Sequence, residues 1–444
     1  MRRFLVALLV IALIVVVATA WFVLGPGPLD FAGGHRVALP IYKGPDPTGV
    51  PAGSRQASLV ERGQYLARAA DCEACHSAKD RQPFTGGLAF PLPFGTLYSP
   101  NITPDKETGI GNWSDADFLN AMHKGLAPGN VALYPAFPFT AYAMMSDDDA
   151  LAIKAFLFSL PARHAVTPAN SLAFPFNQRW LMHVWSAFFD SDRRFEPDET
   201  RSPQWNRGAY LAEAMAHCGD CHTPRNLMQA LDNRRKFAGA VAAGWKAYDI
   251  TGDKVSGIGG WSDAALADYL ATGHAQGYGT ASGPMGEAVD KSFLHLAPED
   301  IHALVVYLRS IPAIADPSLP VPKSTLAPAS PRQGPAADAP GQVIFAGACA
   351  GCHGWTGDSP VLSYATFTHG RAVNDPSARN VAQAIVWGVT RQSASGPVAM
   401  PAFGNAYSNI EIAALANYVT ARFGAAPSSI TAQEVAEIRR QAAQ

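Results

Sequence analysis

Three stretches decide the fold: Cys72-Glu73-Ala74-Cys75-His76, Cys218-Gly219-Asp220-Cys221-His222 and Cys349-Ala350-Gly351-Cys352-His353. Together they use all six cysteines of the 444-residue chain. An even cysteine count in an exported chain is compatible with disulfides, but the repeated Cys-x-x-Cys-His grouping points elsewhere. Two thiols three residues apart stand about one helical turn apart, where they can add to the two vinyl groups of one porphyrin. The adjacent His then reaches the iron. Cys-x-x-Cys pairs also bind zinc or act as redox thiols, but a zinc site would want pairs converging on one metal and has no need of His each time. The pattern predicts three covalently bound haems c. They are attached through Cys72 and Cys75, Cys218 and Cys221, and Cys349 and Cys352, with His76, His222 and His353 as proximal iron ligands.

Working outward, the chain repeats itself. Arg62-Gly63-Gln64-Tyr65-Leu66-Ala67 leads to Cys72, and Arg207-Gly208-Ala209-Tyr210-Leu211-Ala212 leads to Cys218. Asn101-Ile102-Thr103 matches Asp249-Ile250-Thr251, and Gly109-Ile110-Gly111-Asn112-Trp113-Ser114-Asp115 matches Gly257-Ile258-Gly259-Gly260-Trp261-Ser262-Asp263. The order and spacing make the first two units duplicates; a third, looser copy surrounds Cys349. Ser58 and Glu61 form a capping-box pattern that opens the first helix. Amphipathic helices close the copies over residues 147–160, 298–311 and 409–423, with Phe156, Tyr307 and Tyr418 nine residues into each.

The expected organisation has seven parts: 1–28, an N-terminal anchor; 56–165, haem domain 1; 166–205, an interdomain segment; 206–312, haem domain 2; 313–341, a Pro/Ala-rich linker; 342–425, haem domain 3; and 426–444, a polar tail. The segment 174–189 is aromatic-rich and reads as an interdomain packing helix, with a membrane-surface or partner-docking role as the alternative. The linker is expected to let the third domain dock separately from the tandem pair. The expected class is all-α, three haem domains in tandem behind a transmembrane helix.

An iron held by His and Met has a raised potential and suits electron transfer. Met400, in Met400-Pro401-Ala402-Phe403, lies eighteen residues before Tyr418, and Met285 lies twenty-two before Tyr307. Both are placed to supply a sixth ligand, although a methionine in a core needs no such role. Copy one has Phe137-Pro138 at the corresponding place. Its expected ligand is Met145, with Met144, Met122 and His123 as alternatives.

The compartment is read from the N-terminus. Residues 4–24 form a 21-residue uncharged run behind Arg2 and Arg3. At about 1.5 Å per residue it would cross a bilayer core of about 30 Å, with the haem domains exported. Ala18-Thr19-Ala20 resembles a signal-peptide cleavage site, but Trp21-Phe22-Val23-Leu24 continue the apolar run. The expected location is the bacterial inner membrane, with one N-terminal span and the haem domains on the periplasmic side. Lys plus Arg number 34 and Asp plus Glu 36, for a net charge of −2. That balance argues against a nucleic-acid partner.

These motifs give the chain a family likeness. It resembles the tri-haem cytochrome c subunits of bacterial membrane-bound dehydrogenases of the alcohol, aldehyde and gluconate types. The resemblance runs from about Arg62 to Phe423. It rests on Arg-Gly-x-Tyr-Leu before the first two haem motifs, on Asn101-Ile102-Thr103-Pro104-Asp105, Tyr134-Pro135-Ala136-Phe137-Pro138 and Phe174-Pro175-Phe176-Asn177, and on Trp205-Asn206-Arg207, Thr223-Pro224-Arg225-Asn226 and Val373-Asn374-Asp375-Pro376. It implies an electron-transfer subunit that takes electrons from a catalytic subunit and passes them to ubiquinone. A molybdopterin, iron–sulfur aldehyde oxidiser is the favoured partner; a quinoprotein alcohol dehydrogenase or a flavoprotein is the alternative. The cytoplasmic membrane is a further expected partner. A cytochrome feeding or belonging to a terminal oxidase, or a multi-haem peroxidase, is the competing function. No Rossmann glycine fingerprint accompanies the haem motifs, so a substrate-oxidising site in this chain is not expected.

Overall fold

The computed structural model describes residues 2–23, 34–334, 339–367, 369–393 and 396–442. Helix α1 covers Arg2–Val23. The first haem unit then runs through α2 (Leu59–Ala69), the short motif helix α3 (Cys72–His76), strands β1 (Ala89–Leu92) and β2 (Gly95–Tyr98), α4 (Asp115–Lys124), β3 (Leu126–Ala127), β4 (Val131–Ala132), α5 (Phe139–Tyr142) and α6 (Asp147–Ser159). Strand β5 (Ser171–Leu172) and helix α7 (Leu181–Phe189) lead to the second unit. That unit contains α8 (Pro203–Tyr210), α9 (Gly219–His222), β6 (Ala240–Ala242), β7 (Trp245–Ala247), α10 (Asp263–Thr272), β8 (His274–Ala275), β9 (Gly279–Thr280), α11 (Gly283–Lys291) and α12 (Pro298–Arg309). The third has α13 (Pro340–Ala348), α14 (Ala350–His353), α15 (Arg379–Trp387), β10 (Val389–Ser393), β11 (Gly396–Met400) and α16 (Asn409–Phe423), followed by α17 (Ala432–Ala442).

One steric device builds all three units. The first helix of each crosses its closing helix at a glycine so close to the facing backbone that a side chain could not fit. A Cβ on Gly63 would stand 1.8 Å from the Ala152 carbonyl oxygen, one on Gly208 1.9 Å from that of Ala303, and one on Gly341 2.2 Å from that of Ala414. The recurring aromatic covers each crossing: the Cβ atoms of Phe156, Tyr307 and Tyr418 lie within 3.0 Å of the same built positions. The third copy, loosest in sequence, therefore shares the helix crossing of the other two.

Units one and two are joined by a reciprocal clasp. The Tyr65 hydroxyl donates to Asp300 at 2.6 Å and accepts from the N–H of Ala297, the N-cap of α12, at 3.1 Å. The Tyr210 hydroxyl donates to Asp149 at 2.5 Å and accepts from the N–H of Ser146, the N-cap of α6, at 3.2 Å. Each tyrosine of the repeated Arg-Gly-x-Tyr-Leu motif thus caps the closing helix of the other copy. One apolar core runs through both units, and a second fills the third.

The all-α expectation is corrected. The chain is about 42% helix and 10% strand, with one three-stranded and four two-stranded antiparallel sheets among the described residues. The Pro- and Gly-rich connections are too short and too interrupted for helix, yet their backbone groups need partners where the loops pack down. They pair as hairpins instead, as in Ala89–Leu92 against Gly95–Tyr98 and Val389–Ser393 against Gly396–Met400.

The membrane-spanning anchor and the inner-membrane location built on it are also corrected. Among the described residues no helix is long and apolar enough to cross a membrane. Residues 24–28 of the expected anchor lie outside the described residues.

Residues 313–334 carry no helix, but they do not hang free. Ile314 N–H donates to Thr251 Oγ1 (3.0 Å), Lys323 N–H to Asn374 Oδ1 (2.9 Å), and Ala327 N–H to the Thr356 carbonyl (2.9 Å). The third unit is stapled to the second, with Asn380 holding both backbone groups of Lys246 at 2.8 and 2.9 Å. The polar tail forms α17, whose Val435 and Ile438 are buried against the third core. Helix α7 turns Trp185 inward against Phe139, while Trp180, Val184 and Phe188 form an exposed stripe along the other face.

Candidate haem sites

Each motif histidine is held in the same way. His76 Nδ1 lies 2.8 Å from the carbonyl oxygen of Pro100, His222 Nδ1 2.6 Å from that of Tyr248, and His353 Nδ1 2.6 Å from that of Ala365. A carbonyl can only accept, so Nδ1 carries the proton and Nε2 keeps its lone pair for a metal. Burial, partly opposed by that hydrogen bond, pushes all three imidazoles below their ordinary pKa. They are neutral at pH 7, the form that ligates iron.

The loops that present these carbonyls explain two of the repeated motifs. Asn101 Oδ1 accepts from the backbone N–H of Thr103 at 2.9 Å, and Asp249 Oδ1 from that of Thr251 at 2.6 Å. These Asx turns immediately follow Pro100 and Tyr248 and fix where the two carbonyls point. Thr103 and Thr251 in turn accept from the N–H groups of Ile110 and Ile258, both at 3.0 Å, tying in the Gly-Ile-Gly segments. Pro100, Tyr248 and Ala365 are functional positions that the sequence reading missed. For the first two, the signal was the residue just before each repeated Asn/Asp-Ile-Thr.

All six cysteines are unpaired. Burial raises the thiols of Cys72 and Cys218 to about 12 and those of Cys221 and Cys349 to about 11, and pushes Cys75 up as well. A structural zinc would want four Cys or His ligands gathered to one site. Among the described residues no group of three or more His, Cys, Asp and Glu side chains converges on such a site.

A single cavity of about 2120 Å³ links the units. It reaches Cys75 of the first motif, Cys218, Cys221 and His222 of the second, and Cys349, Cys352 and His353 of the third. Met285 and Met400 line it too. Small-molecule pockets hold about 300–1,000 Å³, so this space has room for more than one porphyrin. Met285 sits in the first turn of α11, and Met400 ends β11 opposite Val389. The residues fit haem: in the second and third units a neutral imidazole, two thiols and a thioether share one mostly apolar space.

Copy one differs. Cys72, His76 and Met145 do not line that cavity. Equivalent turns, Leu133 N–H to the Gly125 carbonyl and Ala281 N–H to the Gly273 carbonyl, both 2.7 Å, bring Phe137 into the place of Met285. Met145 is fully buried at the position equivalent to Leu296, four residues before the clasp aspartate, with Met144 beside it. Met122 and His123 are also buried. His123 Nε2 has no hydrogen-bond partner, Nδ1 is 3.7 Å from Asp147, and burial lowers its pKa to about 4.

Small helical units closed over Cys-x-x-Cys-His turns, with oriented imidazoles, define a c-type cytochrome carrying covalently bound haem c. The cytochrome c family profile matches residues 60–161 and 339–422. The chain is 36% identical to the fructose dehydrogenase cytochrome subunit of Gluconobacter japonicus over 88% of this chain and 84% of that one. It is 36% identical to the gluconate 2-dehydrogenase cytochrome c subunit of Pantoea cypripedii over 86% and 90%. It is also 38% identical to one subunit of the nicotinate dehydrogenase of Pseudomonas putida over 85% of this chain, which spans only 31% of that longer protein. The chain belongs to the family of cytochrome c subunits of dehydrogenase complexes, and its role is electron transfer alongside a catalytic dehydrogenase subunit.

Proposed function

We propose that the chain binds three haems c and relays electrons from a small-molecule-oxidising dehydrogenase subunit to ubiquinone. The observation that carries this reading is the threefold recurrence of a motif histidine anchored through Nδ1 to a backbone carbonyl. Haem iron with His and Met ligands cycles between two oxidation states and so carries one electron at a time. The six cysteines fix the groups, the three carbonyls hold each imidazole in one tautomer, and Met285 and Met400 close the second and third sites. Met145 is the proposed sixth ligand of the first. The shared cavity supports electron passage between the second and third sites, because it leaves little protein between them.

The named relatives serve fructose, gluconate and nicotinate dehydrogenases. This variety supports a relay common to them, with the substrate chosen by the partner. For this chain the partner is read, from the sequence resemblance, as a molybdopterin, iron–sulfur aldehyde oxidiser ahead of a quinoprotein or flavoprotein. The test is reconstitution. Denatured protein should retain three haems per chain after acid–acetone extraction. The isolated chain should be reduced by dithionite and not by ethanol, acetaldehyde or gluconate. With its partner, substrate should reduce the haems and a ubiquinone analogue should reoxidise them. Two haems or fewer in matured protein, or substrate-driven reduction of the chain alone, would contradict the proposal.

A further inference from the structure

Among the largest fully buried side chains of the molecule is a cation, Arg391 on β10, only 1% exposed. It belongs to the third unit, but its head group is spent in the second. Nη1 donates to the carbonyl of Gly286 and lies 3.1 Å from Asp290, and Nη2 donates to the carbonyl of Thr272 at 3.3 Å. The second unit is shaped to admit it: a Cβ on Gly273 would fall 2.2 Å from Nη2, and one on Gly286 3.2 Å from Nη1. Nε is buried with no partner, so the guanidinium is incompletely compensated. Its one close carboxylate among the described residues, Asp290, is itself 24% exposed. Gly286 directly follows Met285, and Arg391 lines the same cavity as Met285 and His222.

We infer that Arg391 tunes the second haem from the third domain, raising its reduction potential. This rests on the proposed ligation by Met285. A ferric site carries one more positive charge than a ferrous one. A nearby guanidinium shielded from water disfavours the ferric form, and low dielectric strengthens the effect. Burial and local charge are recognised levers on haem potential. Asp290 opposes the effect, so the two side chains should act with opposite sign. Because the cation comes from the third unit, seating that unit on the second also sets the driving force between their haems. Arg391 is a positioning and tuning residue, not a ligand.

The test uses the full-length, haem-loaded protein and spectroelectrochemical titration with each haem resolved. Arg391→Gln should lower one potential by about tenfold in the reduction equilibrium, about 59 mV for one electron. Arg391→Lys should retain most of the wild-type value, and Asp290→Asn should raise the same potential. The methionine-to-iron charge-transfer band should survive in all three variants, whereas Met285→Ala should lose one such band. That last variant checks the ligation by itself. Unchanged potentials in Arg391→Gln and Asp290→Asn with the bands intact, or equal shifts of all three haems, would overturn the inference and leave the ligation standing. If Arg391→Gln does not accumulate, Asp290→Asn decides alone: a raised potential supports the inference, and no change or a fall overturns it.

Discussion

Helix α13 contains two glycines whose replacement by alanine should have opposite effects. In Gly341→Ala the new methyl would lie 2.2 Å from the Ala414 carbonyl oxygen and 2.7 Å from Tyr418 Cβ. An ordinary carbon–oxygen contact is about 1 Å longer. Both obstacles belong to the backbone or the first side-chain atom of α16, so neither can swing aside; α13 must lift from α16. Overpacking of this kind typically costs about 1–3 kcal/mol, sometimes more, while Gly to Ala in a helix returns at most about 1 kcal/mol. A Cβ on Gly347, six residues on, meets nothing within 4 Å, so there only the helix preference remains. The expected outcome is a loss of about 2 kcal/mol for Gly341→Ala and a gain of about 0.5–1 kcal/mol for Gly347→Ala. For a domain of this size each kcal/mol moves the midpoint by roughly 4–8 °C. Thermal melts of the haem-loaded protein, followed by Soret absorbance and far-UV circular dichroism, read both variants. A Gly341→Ala protein that melts at or above the wild-type temperature would refute the close helix crossing, and with it the structural equivalence of the third unit to the other two.

Four further predictions test the first unit and the clasp. Met145→Ala should lower the potential of one haem only; unchanged potentials, with a shift in Met144→Ala instead, would move the ligand assignment by one residue. Tyr210→Phe strips Asp149 of its 2.5 Å hydrogen bond inside the protein and should cost about 1–3 kcal/mol of stability, read as a lower urea midpoint. Tyr65→Phe should do the same, because it removes the 2.6 Å bond to Asp300 and leaves the Ala297 N–H without its acceptor. For His123 burial lowers the pKa from 6.5 to about 4. The unfolded chain binds the proton first, so the group's contribution is present above about pH 6.5 and lost as pH falls toward 4. His123→Gln should therefore lose less stability than wild type between pH 7 and pH 5, and equal losses would count against a neutral, buried His123.

The cysteine motifs, the duplication and the closing helices were legible because each is a local pattern. A thioether pair needs two cysteines at fixed spacing, and an amphipathic helix needs a fixed period. The sequence alone determined that haem c binds and that the first two units are copies, and it displayed the Arg-Gly-x-Tyr-Leu, Asn-Ile-Thr and Asn374-Asp375 segments without a reason for them. Tertiary structure supplied those reasons. Gly63, Gly208 and Gly341 are required by a backbone that is far away in sequence, Tyr65 and Tyr210 cap helices of the opposite copy, and Pro100 and Tyr248 act through carbonyls, which no side-chain pattern records. Nothing in the local sequence marks Arg391; only the docking of the third unit buries it beside Gly286. The hairpins that overturned the all-α expectation follow the same logic. Their residues show too short a run to declare a period, and they become strands only because packed loops must satisfy their own backbone groups.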